Sequence, residues 1–187
     1  MIHNPDQYQT MPVGVVVQRR PGVTRWAKWA WKVTAVLPGA AQADWAVLRD
    51  TGDVAEYHAA TRPLELHGAE SESYMAGLSA KMPALYVVMR RRDDALRPFD
   101  VVLVTASPYE AQDYMDNGED IVEKVAMPDG VIGWVREFTD RFFEEEVFIK
   151  RRRDKQRVDG VQDGIGDRRI AQLTDVYRAP QRKGSAV

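Results

Sequence analysis

Apolar side chains recur in short runs along the first part of the chain, in patterns typical of β-strands. Residues 11–22 form a β-branched run closed by Pro21 and Gly22, and its length suits a buried strand. Residues 29–37 alternate with a period of two, which predicts a strand that lies half in the core. The predicted core face comprises Trp29, Trp31, Val33, Ala35 and Leu37, opposite Lys28, Lys32 and Thr34.

Further apolar runs also predict extended segments. The second of them is interrupted or bent by Pro63, because proline cannot donate to a sheet ladder. The adjacent short strands imply antiparallel pairing, and the third and fourth runs predict central strands joined by a charged hairpin loop. These runs are residues 45–50, 54–67, 84–92, 99–106 and 120–128.

The stretch from 107 to 118 carries the start and stop signals of a helix. Ser107 is a predicted N-cap, Pro108 stands at the first helical position and Glu110 completes a predicted capping box. Gly118 supplies the predicted C-terminal stop. The predicted apolar stripe comprises Ala111, Tyr114 and Met115, which leaves Glu110, Asp113, Asp116 and Asn117 toward water.

Two other segments predict helices. An amphipathic helix opens at Pro128 and is expected to pack over the sheet, because apolar residues then repeat every three to four positions. Residues 69–80 fit both a helical and an alternating pattern, and a short helix is favoured. The repeating residues after Pro128 are Val131, Val135, Phe138 and Phe142.

These elements together predict an α+β fold, with a largely antiparallel sheet of about six or seven strands, two main helices and a flexible C-terminal tail. A chain of 187 residues is most simply one domain. The predicted division is a flexible N-terminus at 1–10, a single α+β domain at 11–150 and a basic, disordered tail at 151–187, where apolar periodicity is lost.

The chain contains no cysteine, which excludes several classes of chemistry. Disulfides, thiolate nucleophiles, cysteine-ligated zinc and persulfide relay all require a thiol. The longest apolar run is shorter than the roughly 20 residues that cross a bilayer, and residues 1–10 lack the pattern of a signal peptide. We therefore expect a cytoplasmic protein with no membrane contact.

Charge is distributed unevenly along the chain. Residues 1–150 hold 16 Lys and Arg against 23 Asp and Glu, whereas residues 151–187 hold 10 against 5. The basic run from Lys150 to Arg157 could contact nucleic acid or dock on an acidic protein surface, and a solvated terminus is the alternative. The candidate partner-binding residues are Trp26, which lies outside the clearer strand pattern, and Lys150, Arg151, Arg152 and Arg153.

Residue types that serve catalysis or metal binding occur without diagnostic spacing. A dense acidic cluster lacks the alternating ligands of a calcium loop, which favours a solvated surface. His67 and Glu70 are three positions apart and could meet on a metal, but no second histidine is nearby, and both His58 and His67 are expected to be hydrated or hydrogen-bonded. No nucleophile elbow and no glycine-rich nucleotide loop is present, so we predict no catalytic residues, no metal ligands and no cofactor. The acidic cluster comprises Glu110, Asp113, Asp116, Glu119, Asp120 and Glu123.

Several pieces of the sequence, in order, resemble an uncharacterised family of small bacterial proteins. They include "VLPGA", "YHAATRPLELH", "YVVMRR" and "VVLVTASPYEAQDYMDNGE", and the likeness covers about residues 11–153. The family is a domain of unknown function that is often encoded beside formate dehydrogenase genes. The resemblance implies a cytoplasmic accessory role in making or regulating a molybdenum- or tungsten-dependent formate dehydrogenase.

The expected function is therefore non-enzymatic protein binding, as an assembly or maturation factor whose partner is a formate dehydrogenase subunit or another maturation factor. Persulfide-based sulfur relay is excluded, because the chain has no thiol. Two alternatives stay open. One is an enzyme or cofactor-binding protein of molybdenum-cofactor metabolism, which requires a pocket where His58, His67 or carboxylates converge. The other is a nucleic-acid-binding regulator that uses Lys150 to Arg157.

Overall fold

Strands and helices alternate along the part of the chain that the structure describes. The structure, a computed structural model, describes residues 7–23 and 28–143. In chain order its elements are β1 (Tyr8–Pro21), β2 (Trp29–Pro38), β3 (Asp44–Asp50), β4 (Ala55–His67), α1 (Ser71–Leu78), β5 (Ala84–Arg91), β6 (Phe99–Thr105), α2 (Pro108–Asp116), β7 (Ile121–Ala126) and α3 (Asp129–Phe142).

The strands form one 7-stranded sheet in the order β2-β1-β4-β6-β5-β7, with β3 paired to β4 beside this path. The pairing of β4 with β6 is parallel and rests on one registered pair, Leu64 with Val104, whereas the other described pairings are antiparallel. The predicted α+β class and the largely antiparallel sheet are confirmed. The two predicted central strands are β5 and β6, and both are flanked by neighbours on each side.

The sheet consists of two antiparallel halves, one built on β1, β2 and β4 and the other on β5, β6 and β7. Side chains bridge the halves where backbone pairing is sparse. Beside the β4–β6 pair, the Arg62 Nε donates to the Val101 carbonyl at 2.7 Å. At the opposite junction, the Val33 N–H on β2 donates to the Glu123 Oε2 on β7 at 2.7 Å. The strands at the two ends of the order, β2 and β7, are therefore joined by this hydrogen bond, and the sheet is curved so that its two edges lie close together.

A bulge in β2 changes which of its side chains face the core. Val16 pairs with Ala35 but Val17 pairs with Val33, so Thr34 is an extra residue. An extra residue reverses the inward and outward alternation of the strand beyond it. The prediction that Leu37 faces the core is therefore wrong: its side chain is 37% exposed, and Val36 is buried in its place.

The predicted core tryptophans lie at the margin of the core. Trp31 is half-buried, with its ring centroid 5.7 Å from that of Trp45 and 5.8 Å from that of Tyr57. Trp29 is also half-buried, but it lies beneath the Arg19 guanidinium, 4.3 Å from the ring centroid, and does not belong to the core cluster. Trp29 begins β2 and pairs with the last residue of β1, so it lies at the end of the sheet where fewer neighbours cover it.

The helices α1 and α3 pack against each other. The Tyr74 and Phe138 rings meet edge-on at 6.3 Å, and Val131, Val135 and Phe138 are buried, which confirms the predicted apolar stripe of α3. The short helix favoured for residues 69–80 is α1, which follows a 3₁₀ turn at Gly68–Glu70.

The helix α2 begins as predicted, but two of its details differ. The Ser107 Oγ accepts the Glu110 N–H at 3.1 Å and Pro108 is the first helical residue. However, the Ser107 N–H donates to the Thr105 Oγ1 at 3.0 Å, which takes the place of the Glu110 side chain in the predicted capping box. Met115 is 45% exposed, because α2 touches its neighbours along a narrow face where Ala111 alone is fully buried.

Within the described residues, no helix has the length and apolar character needed to span a bilayer. Strand β1 already begins at Tyr8, inside the predicted N-terminal segment 1–10. The predicted boundary at residue 150 and the tail at 151–187 lie outside the described residues and stay predictions.

Candidate functional site

His58 lies in a buried polar network on β4. Its side chain is 8% exposed, and its Nε2 is 2.9 Å from the Thr61 Oγ1. The Thr61 hydroxyl donates to the Ala41 carbonyl at 2.7 Å, so its oxygen accepts the hydrogen bond that the His58 Nε2–H donates. A Cβ at Gly14 would lie 2.9 Å from the His58 Cε1 and closer still to Nε2, so the ring fills the space that glycine leaves open. His58 is hydrogen-bonded, as predicted, and its ring packs against Gly14.

His67 and Glu70 belong to a second polar group at the end of β4. The Tyr74 hydroxyl accepts the His67 N–H at 3.1 Å and donates to the Glu70 Oε2 at 3.3 Å. The His67 imidazole instead lies beside Glu65, with 3.7 Å between Nε2 and Oε2. Burial raises the pKa of Tyr74, so its hydroxyl remains protonated and ties α1 to the end of β4. The His67 backbone N–H and the Glu70 carboxylate are therefore linked through the Tyr74 hydroxyl.

The two histidines do not converge on one site. They are nine positions apart on the extended strand β4, a path of roughly 30 Å at about 3.3 Å per residue. Within residues 7–23 and 28–143, no group of three or more histidine or acidic side chains is arranged to hold a metal ion.

The acidic cluster divides into surface groups and two carboxylates with structural partners. The Asp120 Oδ1 accepts the Arg90 Nε at 2.9 Å, and its Oδ2 accepts the Asn117 Nδ2 at 2.9 Å. These hydrogen bonds, that of Arg90 first, outweigh desolvation and hold the pKa of Asp120 below its usual value. Glu123 accepts the Val33 N–H across the sheet junction. Asp113, Asp116 and Glu119 are exposed, as expected for a solvated surface.

A polar hollow lies between α1 and α2, and its two buried serines have local structural partners. The Ser73 and Ser107 hydroxyls are buried and 2.8 Å apart. Ser107 caps α2, and the Ser73 Oγ accepts the Tyr109 N–H at 3.3 Å, so both hydroxyls serve local structure. No histidine is among the described residues that line the hollow, which are Ala69, Glu70, Glu72, Ser73, Ser107, Tyr109, Glu110, Asp113 and Tyr114.

An open cleft follows the junction between β2 and β7, and we call it the junction cleft. Half-buried apolar surface comes from Trp31 and Val122, whereas Arg20, Lys32 and Lys124 are exposed. None of these three cations takes part in an ion pair between described residues. The junction cleft is lined by Arg20, Ala30, Trp31, Lys32, Val122, Glu123 and Lys124.

Backbone groups of both strands point into the junction cleft. The Val33 N–H points away from β1, since it bonds Glu123. The backbone N–H and C=O of Trp31 point the same way, because residues two apart on a strand direct their backbone groups to the same side. The Met127 N–H bonds the Pro83 carbonyl, so the backbone groups of Met127 point toward β5. Backbone direction reverses at each residue of a strand. Val122 and Lys124, which are five and three positions before Met127, therefore direct their N–H and C=O groups away from β5. Among the described strands, β2 pairs only with β1 and β7 only with β5. The junction therefore exposes two sheet edges that face each other.

Sequence reasoning pointed to other residues. Its partner-binding candidates, Trp26, Lys150, Arg151, Arg152 and Arg153, lie outside the described residues and stay predictions. It placed Lys32 on the polar face of β2 and Glu123 on a solvated surface. The junction cleft was missed because Val33 and Glu123 are 90 positions apart, and no local pattern indicates that β7 lies beside β2.

Comparison with known proteins identifies the family. The family described as "Protein of unknown function (DUF3305)" matches residues 12–153, and the chain belongs to it. No curated protein and no solved structure matches the chain.

Proposed function

We propose that this member of the DUF3305 family is a non-enzymatic protein-binding factor that acts in the assembly or maturation of a molybdenum- or tungsten-dependent formate dehydrogenase. The observation that supports protein binding is the junction cleft, where two sheet edges and a basic rim face solvent. Exposed sheet edges are surfaces on which proteins bind extended segments of a partner. The formate dehydrogenase part of the proposal rests on the family resemblance.

The histidine and serine side chains that could serve catalysis have local structural partners. Within the described residues, each histidine serves a local contact, and the buried serine hydroxyls cap or join helices. The enzyme alternative needs an acid, base or nucleophile in a pocket beside a group that stabilises charge, and one hollow at the end of β4 is lined by Arg62, Glu65, His67, Glu70 and Glu110. The enzyme alternative and the nucleic-acid alternative remain untested predictions.

The experiment is an affinity purification of the tagged full chain from its native cells grown with formate, with crosslinking before lysis. We expect a formate dehydrogenase subunit or a maturation factor of that enzyme to be retained. A chain truncated after Ile149 tests in parallel whether the basic segment contributes. If neither form retains such a protein after crosslinking, the proposed function is wrong.

A further inference from the structure

We propose that the junction cleft binds an extended, acidic segment of a partner protein, which adds as a strand along the facing edges of β2 and β7. This inference rests on the proposed function in that it names the site and the chemistry by which the partner is recognised. The partner's main chain would bond the backbone groups that point into the cleft, and its acidic side chains would meet the basic rim.

The backbone direction supports strand addition. Trp31 on β2 and Val122 and Lys124 on β7 direct N–H and C=O groups into the cleft, and no described strand pairs with either edge. Exposed backbone groups along an edge are a template for another extended chain. At the Val33 N–H, the Glu123 carboxylate already takes the place that a strand carbonyl would occupy.

The charges around the cleft select an acidic occupant. Lys32 and Lys124 are exposed and form no ion pair within the described residues. The Arg20 guanidinium donates to the Gln18 side-chain oxygen and likewise forms no ion pair with a described residue. The single acidic group of the lining, Glu123, is engaged by Val33. Complementary charge speeds encounter and discriminates against basic segments.

The apolar lining and the size of the cleft specify the rest of the occupant. Residues 30–32 and 122–124 line facing sides, which corresponds to about 10 Å of strand at about 3.3 Å per residue. A bound segment would therefore have a core of about three to five extended residues. Val122 and Lys124 are two positions apart and share one face of β7, whereas Lys32 and Trp31 lie on opposite faces of β2. Acidic residues of a bound strand would therefore meet Lys32 and Lys124 on one face, and the apolar residues that alternate with them would meet Trp31 on the other.

The probe is a fluorescent, end-capped peptide of alternating glutamate and valine, about eight residues long so that it overhangs the cleft at both ends. Binding to the full chain is measured by fluorescence anisotropy at low and at physiological salt. One comparison peptide carries lysine in place of glutamate, and another carries N-methyl groups on alternate amides, which removes strand hydrogen bonds without changing charge. We expect the acidic peptide to bind, and both comparison peptides to bind at least about tenfold more weakly, a difference of about 1.4 kcal/mol.

Variants of the protein locate the binding. The double variant Lys32→Glu and Lys124→Glu reverses two charges of the rim. The matched control is Arg49→Glu with Lys81→Glu, because Arg49 and Lys81 are exposed and outside the cleft lining. Val122→Pro removes an N–H that points away from β5, a position at which an edge strand tolerates proline. We expect the double variant and Val122→Pro to weaken peptide binding at least about tenfold, and the control to leave it unchanged. Thermal unfolding is recorded for each variant, and the charge variants decide the question if Val122→Pro does not fold.

Several results would overturn the inference. Absence of binding by the wild-type chain up to about 1 mM peptide would mean that the rim lysines serve only to protect the edge from association. Equal binding by the double variant would place the peptide elsewhere. Dimerisation of the wild-type chain that the double variant abolishes, with no peptide binding, would assign the cleft to a second copy.

The same variants separate this inference from the proposed function. If the wild-type chain and the double variant retain a formate dehydrogenase subunit equally from native cells, the cleft assignment fails while the proposed function stands. If neither retains one but the acidic peptide binds as described, the strand-addition site stands and the formate dehydrogenase proposal fails.

Discussion

The substitution Gly14→Ala tests the packing that joins β1 to the network of His58. The added Cβ would lie 2.9 Å from the His58 Cε1 and 3.0 Å from the Ala40 Cβ, whereas carbon atoms pack best at about 3.5 to 4.0 Å. The ring has to move by roughly 1 Å, which strains or breaks its contact with Thr61, now 2.9 Å long. Overpacking costs about 1 to 3 kcal/mol and a lost buried hydrogen bond about 1 kcal/mol. A gain of about 0.4 to 1 kcal/mol from the stiffer unfolded chain offsets part of this.

The net expectation is a loss of about 1 to 3 kcal/mol in the free energy of unfolding, measured by urea denaturation. The matched test is a double-mutant cycle with His58→Ala, which removes the ring that the new methyl group meets. In that background we expect Gly14→Ala to cost at least about 1 kcal/mol less. The reasoning is refuted if Gly14→Ala changes stability by less than about 0.5 kcal/mol, or if its cost is the same in both backgrounds.

Three further perturbations have defined outcomes. Ser107→Ala removes the cap of α2 and a partner of Ser73, so we expect urea denaturation to show a loss of about 1 to 2 kcal/mol; an unchanged midpoint would contradict the capping role. The pKa of Asp120 is lowered in the folded state, so its stabilisation is present above the unfolded value of about 3.8 and is lost as pH falls through the lower folded value. Asp120→Asn should therefore make stability fall less steeply in acid titrations below about pH 4, and an unaltered profile would show that Arg90 contributes nothing. Phe138→Ala removes a buried ring from the contact between α1 and α3, and urea denaturation should show a loss of about 3 to 5 kcal/mol in the free energy of unfolding. Met115→Ala, on the exposed face of α2, should cost under about 0.5 kcal/mol. Similar losses for the two variants would contradict the assigned packing.

Local signals predicted the elements of this fold well, for identifiable reasons. The start of α2 is specified by Ser107 and Pro108 within a few residues, and the buried stripe of α3 by a repeat that a helix brings to one face. Strands β5 and β6 were recognisable because central strands are apolar on both faces. In each case the interaction that fixes the structure lies within the segment that shows the pattern.

Features that depend on distant partners could not be predicted. The bulge at Thr34 is defined by the register between β1 and β2, and the alternation of β2 alone gave no sign of it. The pairing of Arg90 with Asp120 joins residues 30 positions apart, and that of Val33 with Glu123 joins residues 90 positions apart. A carboxylate in a charged loop looks solvated until the donor that faces it is known, and the junction cleft is built from such long-range neighbours.

We propose that the protein binds an immature formate dehydrogenase through the junction cleft. The most direct test is a calorimetric titration of the full chain into the purified catalytic subunit of that enzyme without its metal cofactor. We expect saturable binding that Lys32→Glu with Lys124→Glu weakens at least about tenfold and that the control Arg49→Glu with Lys81→Glu leaves unchanged. Absence of binding by the wild-type chain would contradict the assignment of this partner, and equal binding by the double variant would contradict the role of the cleft.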